Sequence, residues 1–299
     1  MQIIIPMSGR GQRFVDKGYA AIKPLIEVAG KPIIEYVINL FPEEKDFVFI
    51  CAEDHLASTN LADKLLSLKP EAKIMPIKPH KLGPVYSIAE ASSFIKNEEP
   101  VIVNYCDFFM LWDYKDFKKT VADKKIASAS VCYRGFHPHL LGPNLYAGVK
   151  TDQFGYASEI REKYFFTANK MDTWQQAGTF YFSTGENLKH YCAKVLHDGT
   201  PVNGEYYMSL LFNFLIRDGL RSLVYPVDYF CQWGTPEDLE EYQKWFKFFE
   251  ERSDNTSRPE FDSMYGVGAP EYEKICAYWE NYFYEYCDSN KKGLNGLLA

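Results

Sequence analysis

The densest chemical signal in the chain is a pair of glycines and an arginine directly after the first apolar run. Gln2-Ile3-Ile4-Ile5 reads as a buried strand and leads into Ser8-Gly9-Arg10-Gly11-Gln12-Arg13. Glycine lets the backbone come close to a phosphate chain, and N–H groups left free in such a loop can cradle it. The guanidinium of Arg13 adds a fixed charge whose planar fork suits phosphate oxygens. Two known phosphate loops do not fit. A dinucleotide fingerprint needs a third glycine where Phe14 stands, and a P-loop needs Ser or Thr after Gly30-Lys31 and a glycine at Leu25. No Ser-His-Asp or Cys-His arrangement is legible from spacing. His137-Pro138-His139 has no third ligand near it and reads as a surface loop. The acidic run 237–241 reads as a helix N-terminal turn and Asp113 as a helix N-cap.

An anion-binding loop needs a scaffold that ends a strand beside it. Short Val/Ile-rich runs at 3–7, 47–51, 73–77 and 101–105 read as strands buried on both faces. Helical stretches at 32–40, 54–68 and 85–95 alternate with them. This alternation predicts an α/β fold, a doubly wound, mostly parallel, Rossmann-like sheet. Ligands in such sheets bind beyond the carboxyl ends of the strands, so the functional loops are expected at 8–19, 78–84 and 106–113. A β-rich part follows, with strands at 127–133, 146–150, 157–161 and 178–182. Helices at 183–196 and 205–217, a strand at 222–227 and a helix from 236 to about 249 complete it. Residues 1–251 thus read as one domain, and 252–299 as a linker (252–259) and an aromatic helix (270–287). That helix carries Tyr272, Tyr278, Trp279, Tyr282, Phe283, Tyr284 and Tyr286. It must bury its rings either on its own chain or in a subunit contact of a homo-oligomer, and both readings stay open.

Composition narrows the function classes. The 299 residues are 46% hydrophobic, enough for a sizeable core. A formal net charge of -7 argues against a nucleic-acid partner but leaves room for a local phosphate site. No run reaches the ~18–20 apolar residues of a membrane span, and no signal peptide precedes the first strand. Seven scattered cysteines without a CxxC pair read as reduced thiols, so a cytoplasmic location is expected.

The string of a strand, Gly9-x-Gly11-x-Arg13-Phe14, Lys23-Pro24-Leu25 and Gly30-Lys31-Pro32-Ile33 resembles the signature of the sugar-phosphate nucleotidyltransferases. The resemblance extends over roughly residues 2–249. Asp107, after Val101-Ile102-Val103-Asn104-Tyr105-Cys106, stands where that family holds Mg2+. The loop with Lys78 and Gly83 stands where it reads the base, although Lys78 replaces the Gln of many thymidylyl and uridylyl enzymes. Tyr146-Ala147-Gly148-Val149 is similar to a Y-G-V strand and Glu162-Lys163 to an E-K pair. Ala177-Gly178-Thr179-Phe180-Tyr181-Phe182 is similar to N-A-G-x-Y-x-F, Asn203-Gly204-Glu205 to N-G-E, and Gly234-Thr235-Pro236-Glu237-Asp238-Leu239 to G-T-P-E-D-L. The nearest branch is one found with bacterial capsule loci and often labelled family 2 glycosyltransferase. Residues 252–299 match nothing in it.

The resemblance implies transfer of an NMP unit from an NTP to a phosphorylated small molecule, a sugar 1-phosphate first of all, for surface-polysaccharide precursors. Residues about 1–125 would bind the NTP and about 126–251 the acceptor. Ser8, Gly9, Arg10, Gly11, Lys78 and Gly83 are then expected around the NTP. Arg13 belongs on the triphosphate, Lys23 on the α-phosphate and Asp107 on Mg2+. Gly148, Glu162, Lys163, Gly178 and Glu205 are expected around the acceptor. The rival readings are a glycosyltransferase of the related fold that uses a finished nucleotide sugar, and a non-catalytic nucleotide-sugar-binding regulator. Asp107-Phe108-Phe109 lacks the second aspartate of an Asp-x-Asp motif. One departure stands out: where relatives carry a second metal-binding aspartate, this chain has Gln232. Either Asp107 and substrate phosphates hold the ion, with or without Gln232, or Asp228 substitutes. On a regular strand Asp228 would lie about 13 Å from Gln232, so the first arrangement is expected.

Overall fold

The computed structural model describes residues 1–250 and 269–290. The polar segment read as a linker, 252–259, lies outside the described residues. The first half runs β1 (Gln2–Met7), α1 (Gln12–Asp16), β2 (Glu27–Val28), β3 (Lys31–Pro32), α2 (Ile33–Asn39), β4 (Phe47–Ala52), α3 (Glu53–Ser58), α4 (Leu61–Leu68), β5 (Lys73–Ile77), α5 (Pro84–Glu90), β6 (Val101–Asn104), β7 (Phe108–Leu111) and α6 (Tyr114–Lys124). The second runs β8 (Ser128–Tyr133), β9 (Gly148–Thr151), β10 (Ala157–Arg161), β11 (Trp174–Phe182), α7 (Gly185–Asp198), α8 (Ser209–Arg217), β12 (Ser222–Pro226), β13 (Tyr229–Gln232), α9 (Pro236–Glu250) and α10 (Ala269–Asn290).

Nine strands form one mixed sheet along the path β10-β9-β11-β6-β1-β4-β5, with β8 attached to β11 and β12 to β8. β1 and β4 are buried at every position, as expected of strands covered on both faces. β1 pairs in parallel with β4 on one side and β6 on the other, and β4 with β5. β11 runs antiparallel to β6, β8 and β9 and so joins the β-rich half to the parallel half. From β1 the chain moves outward to β4 and β5, then crosses back to β6. That reversal leaves a crevice beyond the carboxyl ends of β1 and β6, the place where open α/β sheets receive ligands.

Several elements differ from the sequence reading. The helix expected over 54–68 is two helices, broken at Thr59, whose hydroxyl accepts from Leu61 N at 3.2 Å. The helix expected from 205 begins only at Ser209, because residues 202–205 form a tight turn. The loop expected over 106–113 contains β7, which pairs antiparallel with β13 in a separate two-stranded ribbon. Neither four-residue strand is long enough to show its period in the sequence. Asp113 does cap α6, accepting from Asp116 N at 2.8 Å.

The aromatic helix packs on its own chain. Ile275, Cys276, Trp279, Tyr282 and Phe283 recur at helical spacing and are buried. Their rings meet α9, with Phe283 4.9 Å from Phe249 and 5.7 Å from Tyr242. Trp279 Nε1 donates to Glu241 at 2.8 Å, and the Tyr278 hydroxyl donates to the carbonyl of Phe230 on β13 at 3.1 Å.

His137 and His139 do not form the surface loop expected of them. His137 is buried against Tyr133 and Tyr278, with ring centroids 4.5 and 5.1 Å away. His139 Nε2 shares a hydrogen bond of 2.9 Å with the Tyr133 hydroxyl. Burial pushes His137 from 6.5 down to about 3, and His139 down as well. Below pH 6.5 the unfolded chain therefore takes up a proton that the folded chain refuses, until the pH nears 3. Stability should fall by up to about 1.4 kcal/mol per pH unit for each such histidine over that window. Urea midpoints measured between pH 7 and pH 5 should drop, and His137→Leu should flatten the slope.

Candidate functional site

A cavity of about 630 Å3 opens at the crevice between the two halves of the sheet. Every site residue expected from the sequence lines it except Lys78 and Gly148. Lys78 is exposed at the end of β5, outside the lining. Five cationic side chains line the cavity, Arg10, Arg13, Lys23, Lys81 and Lys163, against three carboxylates, Asp107, Glu162 and Glu205. In a chain of net charge -7 this is a local excess of positive charge, suited to an anion.

On the β1 side, the loop after the strand carries Gly9 to Arg13 along the cavity wall. Ser8 at its base is buried, and its hydroxyl lies 2.8 Å from that of Ser87 on α5. His80 Nε2 meets the same Ser87 hydroxyl at 3.0 Å, while His80 Nδ1 accepts from Leu82 N at 3.1 Å. The neutral ring therefore carries its proton on Nε2 and donates to Ser87. Burial pushes His80 down and favours this uncharged form. Lys23, in a 3-10 turn after the loop, sends its ammonium 2.7 Å from Asp107 Oδ2 at the end of β6. Trp233 N donates to the Asp107 carbonyl at 2.9 Å, which brings the end of β13 to the same place.

The turn at 202–205 meets the loop after β5 through backbone. Val202 and Glu205 exchange hydrogen bonds of 2.9 and 3.1 Å around Asn203-Gly204, both at positive φ, so the turn presents Glu205 to the cavity. Next to it Tyr206 N donates to Leu82 O at 2.8 Å, and Val85 N to Tyr206 O at 3.1 Å. Gly83 sits inside this contact at φ +86°, where a β-carbon would lie 2.8 Å from Tyr206 N and O. Gly148 works similarly at a distance from the cavity: a β-carbon there would lie 2.1 Å from Tyr164 O. That close approach lets the 162–164 turn pack on β9, with Lys163 N bonded to Tyr146 O at 2.9 Å. Lys163 itself holds φ +52°, a strained value for a residue with a side chain. Glu162 accepts from the Ser209 hydroxyl, and burial pushes its carboxyl up. Gly178 lines the floor at an irregularity of the β11–β8 pairing.

Around Gly234, a β-carbon would meet Asp107 Oδ2 at 3.2 Å and Gln232 Cγ at 3.8 Å. The Gln232 amide donates to Asp238, which also accepts from the Thr235 hydroxyl. The acidic run 237–241 is therefore more than a solvated turn: Asp238 bonds Gln232, and Glu241 is buried under Trp279. Burial pushes the Asp238 carboxyl up to about 6. Asp228 is exposed and outside the cavity. Among the described residues no three His, Cys, Asp or Glu cluster as a complete metal site. One carboxylate beside a neutral amide fits Mg2+, which takes oxygen ligands and is completed by substrate phosphates and water. Sequence reasoning missed Ser87, Tyr105 and Tyr207 on the wall. Ser87 comes in on α5, Tyr105 follows β6 two positions before Asp107, and Tyr207 follows the turn at 202–205.

Residues 3–149 match the family model of the MobA-like NTP transferase domain. Solved structures similar over most of the chain include the nucleoside-diphosphate-sugar pyrophosphorylase from Vibrio cholerae RC9, with TM-score 0.65, 17% identity, and coverage of 81% of this chain and 100% of that one. The inositol-1-phosphate CTP transferase from T. maritima gives TM-score 0.64 and 15% identity over 86% of this chain and 98% of that one. A UDP-glucose pyrophosphorylase complexed with UDP-glucose gives 0.63 and 14% over 82% and 98%. No curated protein matches the sequence. At these identities the structures show the shared fold alone, and the domain match covers just under half of the chain. The Gly83 contact is directly testable. Gly83→Ala should cost about 1–3 kcal/mol, the usual range for overpacking, read as a lower melting temperature.

Proposed function

We propose that the chain is a Mg2+-dependent nucleotidyltransferase that moves an NMP unit from an NTP to a phosphorylated small molecule, a sugar 1-phosphate first of all. The observation that carries this reading is the convergence of Arg13, Lys23 and Asp107 on one cation-rich cavity at the sheet's switch point. The names of the similar structures, two pyrophosphorylases and a CTP transferase, favour the same chemistry. An acceptor phosphate oxygen forms a bond to the α-phosphorus as the bond to pyrophosphate breaks. The nucleophile is already an anion at neutral pH, so the site needs no general base, only alignment and charge compensation. Arg13 grips the triphosphate. Lys23 turns from Asp107 toward the α-phosphate when the NTP enters. Asp107 would hold Mg2+, and the ion would supply neutralising charge to the phosphates. Lys163 holds the acceptor phosphate, and Glu205, at the tip of its turn, receives acceptor hydroxyls.

In this reading residues about 1–125 bind the NTP and about 126–251 the acceptor. The product would supply surface-polysaccharide synthesis from the cytoplasm. No helix among the described residues is long and apolar enough to cross a membrane.

A pyrophosphate-release screen of ATP, CTP, GTP, UTP and dTTP against phosphorylated sugars, polyols and choline tests the reading. Turnover should require one NTP, an acceptor and Mg2+ together. Glycosyl transfer from a nucleotide sugar, with no pyrophosphate from any NTP, would overturn it. Arg13→Ala and Asp107→Asn should each lower kcat/KM by about 100-fold, the scale of one lost transition-state charge partner. Lys163→Ala should raise the acceptor KM while calorimetry shows NTP binding nearly intact.

A further inference from the structure

Gln232 can present two opposite faces to the cavity, an NH2 that donates or an oxygen that accepts. Its surroundings decide between them. Its Nε2 donates to Asp238 Oδ2, the Thr235 hydroxyl donates to the same oxygen, and Asp238 N returns a bond of 3.2 Å to Thr235 Oγ1. At neutral pH the Asp238 carboxylate is ionised and only accepts. A flipped amide would set its oxygen against that carboxylate with no proton between them. The amide nitrogen is thus turned to Asp238 through one of its two N–H groups, on a residue that is only 8% exposed. The amide oxygen is left for the other side, where Gln232 borders the cavity and flanks Gly234 together with Asp107.

We propose that Asp238 is a positioning residue that locks Gln232 with its side-chain oxygen, not its NH2, toward the Asp107 side of the cavity. The consequence rests on the nucleotidyltransferase reading. Position 232 then offers a neutral oxygen next to Asp107, while the negative charge that orients it, on Asp238, stands behind the amide. A donor NH2 at this place would repel the ion that Asp107 and the phosphates hold.

Two measurements test this. In the free protein, nitrogen-15 NMR of the Gln232 side-chain NH2 should show slow exchange with solvent. The signal should be lost to fast exchange in Asp238→Ala and kept in Asp238→Asn, whose side chain retains one accepting oxygen. Calorimetric titration with ATP, CTP, GTP, UTP or dTTP, with and without Mg2+, then reads the gain in affinity that Mg2+ confers. Asp238→Ala should reduce that gain by about tenfold, the lower end for loss of a group that orients a metal ligand. Gln232→Met should do the same, the double variant should lose no more than either, and Asp238→Asn should keep most of the gain. A Gln232 NH2 that exchanges as freely as an exposed amide, a full Mg2+ gain in Asp238→Ala, or additive losses would each overturn the proposal. If no NTP binds the unaltered chain, the nucleotidyltransferase reading fails, and the amide signal still decides the pairing.

Discussion

The contact on which the cavity turns is the ion pair between Lys23 and Asp107, 2.7 Å across 84 positions of sequence. It ties the loop after β1 to the end of β6, the two strands between which the chain reverses direction. Each charge stands in a partly enclosed place and is compensated by the other, so neither is left unpaired at a desolvation cost. The backbone of Asp107 also receives Trp233 N, so the ribbon of β7 and β13 hangs from the same residue. Three segments remote in sequence therefore meet at one residue, beside the glycine-rich loop.

A second constraint is backbone proximity. Gly83 against Tyr206 and Gly148 against Tyr164 are places where no β-carbon fits, and each joins a loop of one half to a turn or strand beside it. The first matters most for function, because it bonds the loop lined by His80 directly to the turn that presents Glu205. A shift of either would be felt by the other through two peptide hydrogen bonds rather than through a long chain of side chains.

Much of this was legible in the sequence, and the reasons differ by element. β1, β4 and β6 are short apolar runs, and burial on both faces leaves that mark without ambiguity. The glycine-rich loop, Lys23 and Asp107 could be brought to one place from the sequence because two glycines, a lysine and an aspartate stand just beyond apolar runs. The ribbon of β7 and β13 was not legible, since four residues pairing across more than a hundred positions leave no local period. His137 misled for a related reason: its ring is polar, but the wall that buries it pairs the nearby Tyr133 with Tyr278, which comes from a helix far along the chain. Asp238 was read as a helix-terminal charge because its partner, Gln232, is known only once the turn at Gly234 is folded.

The aromatic helix α10 reaches the site through the back of β13. Its Tyr278 hydroxyl holds the carbonyl of Phe230, a residue whose other side lines the cavity. The strand that delivers Gln232 is thus supported by a segment more than forty residues later in the chain. A ribosome makes residues in order, so the parallel sheet and its glycine-rich loop are complete long before this support emerges. This wall of the cavity is the last part to gain its backing, and a chain stopped short of α10 carries the whole glycine-rich loop beside a strand with an unsupported back.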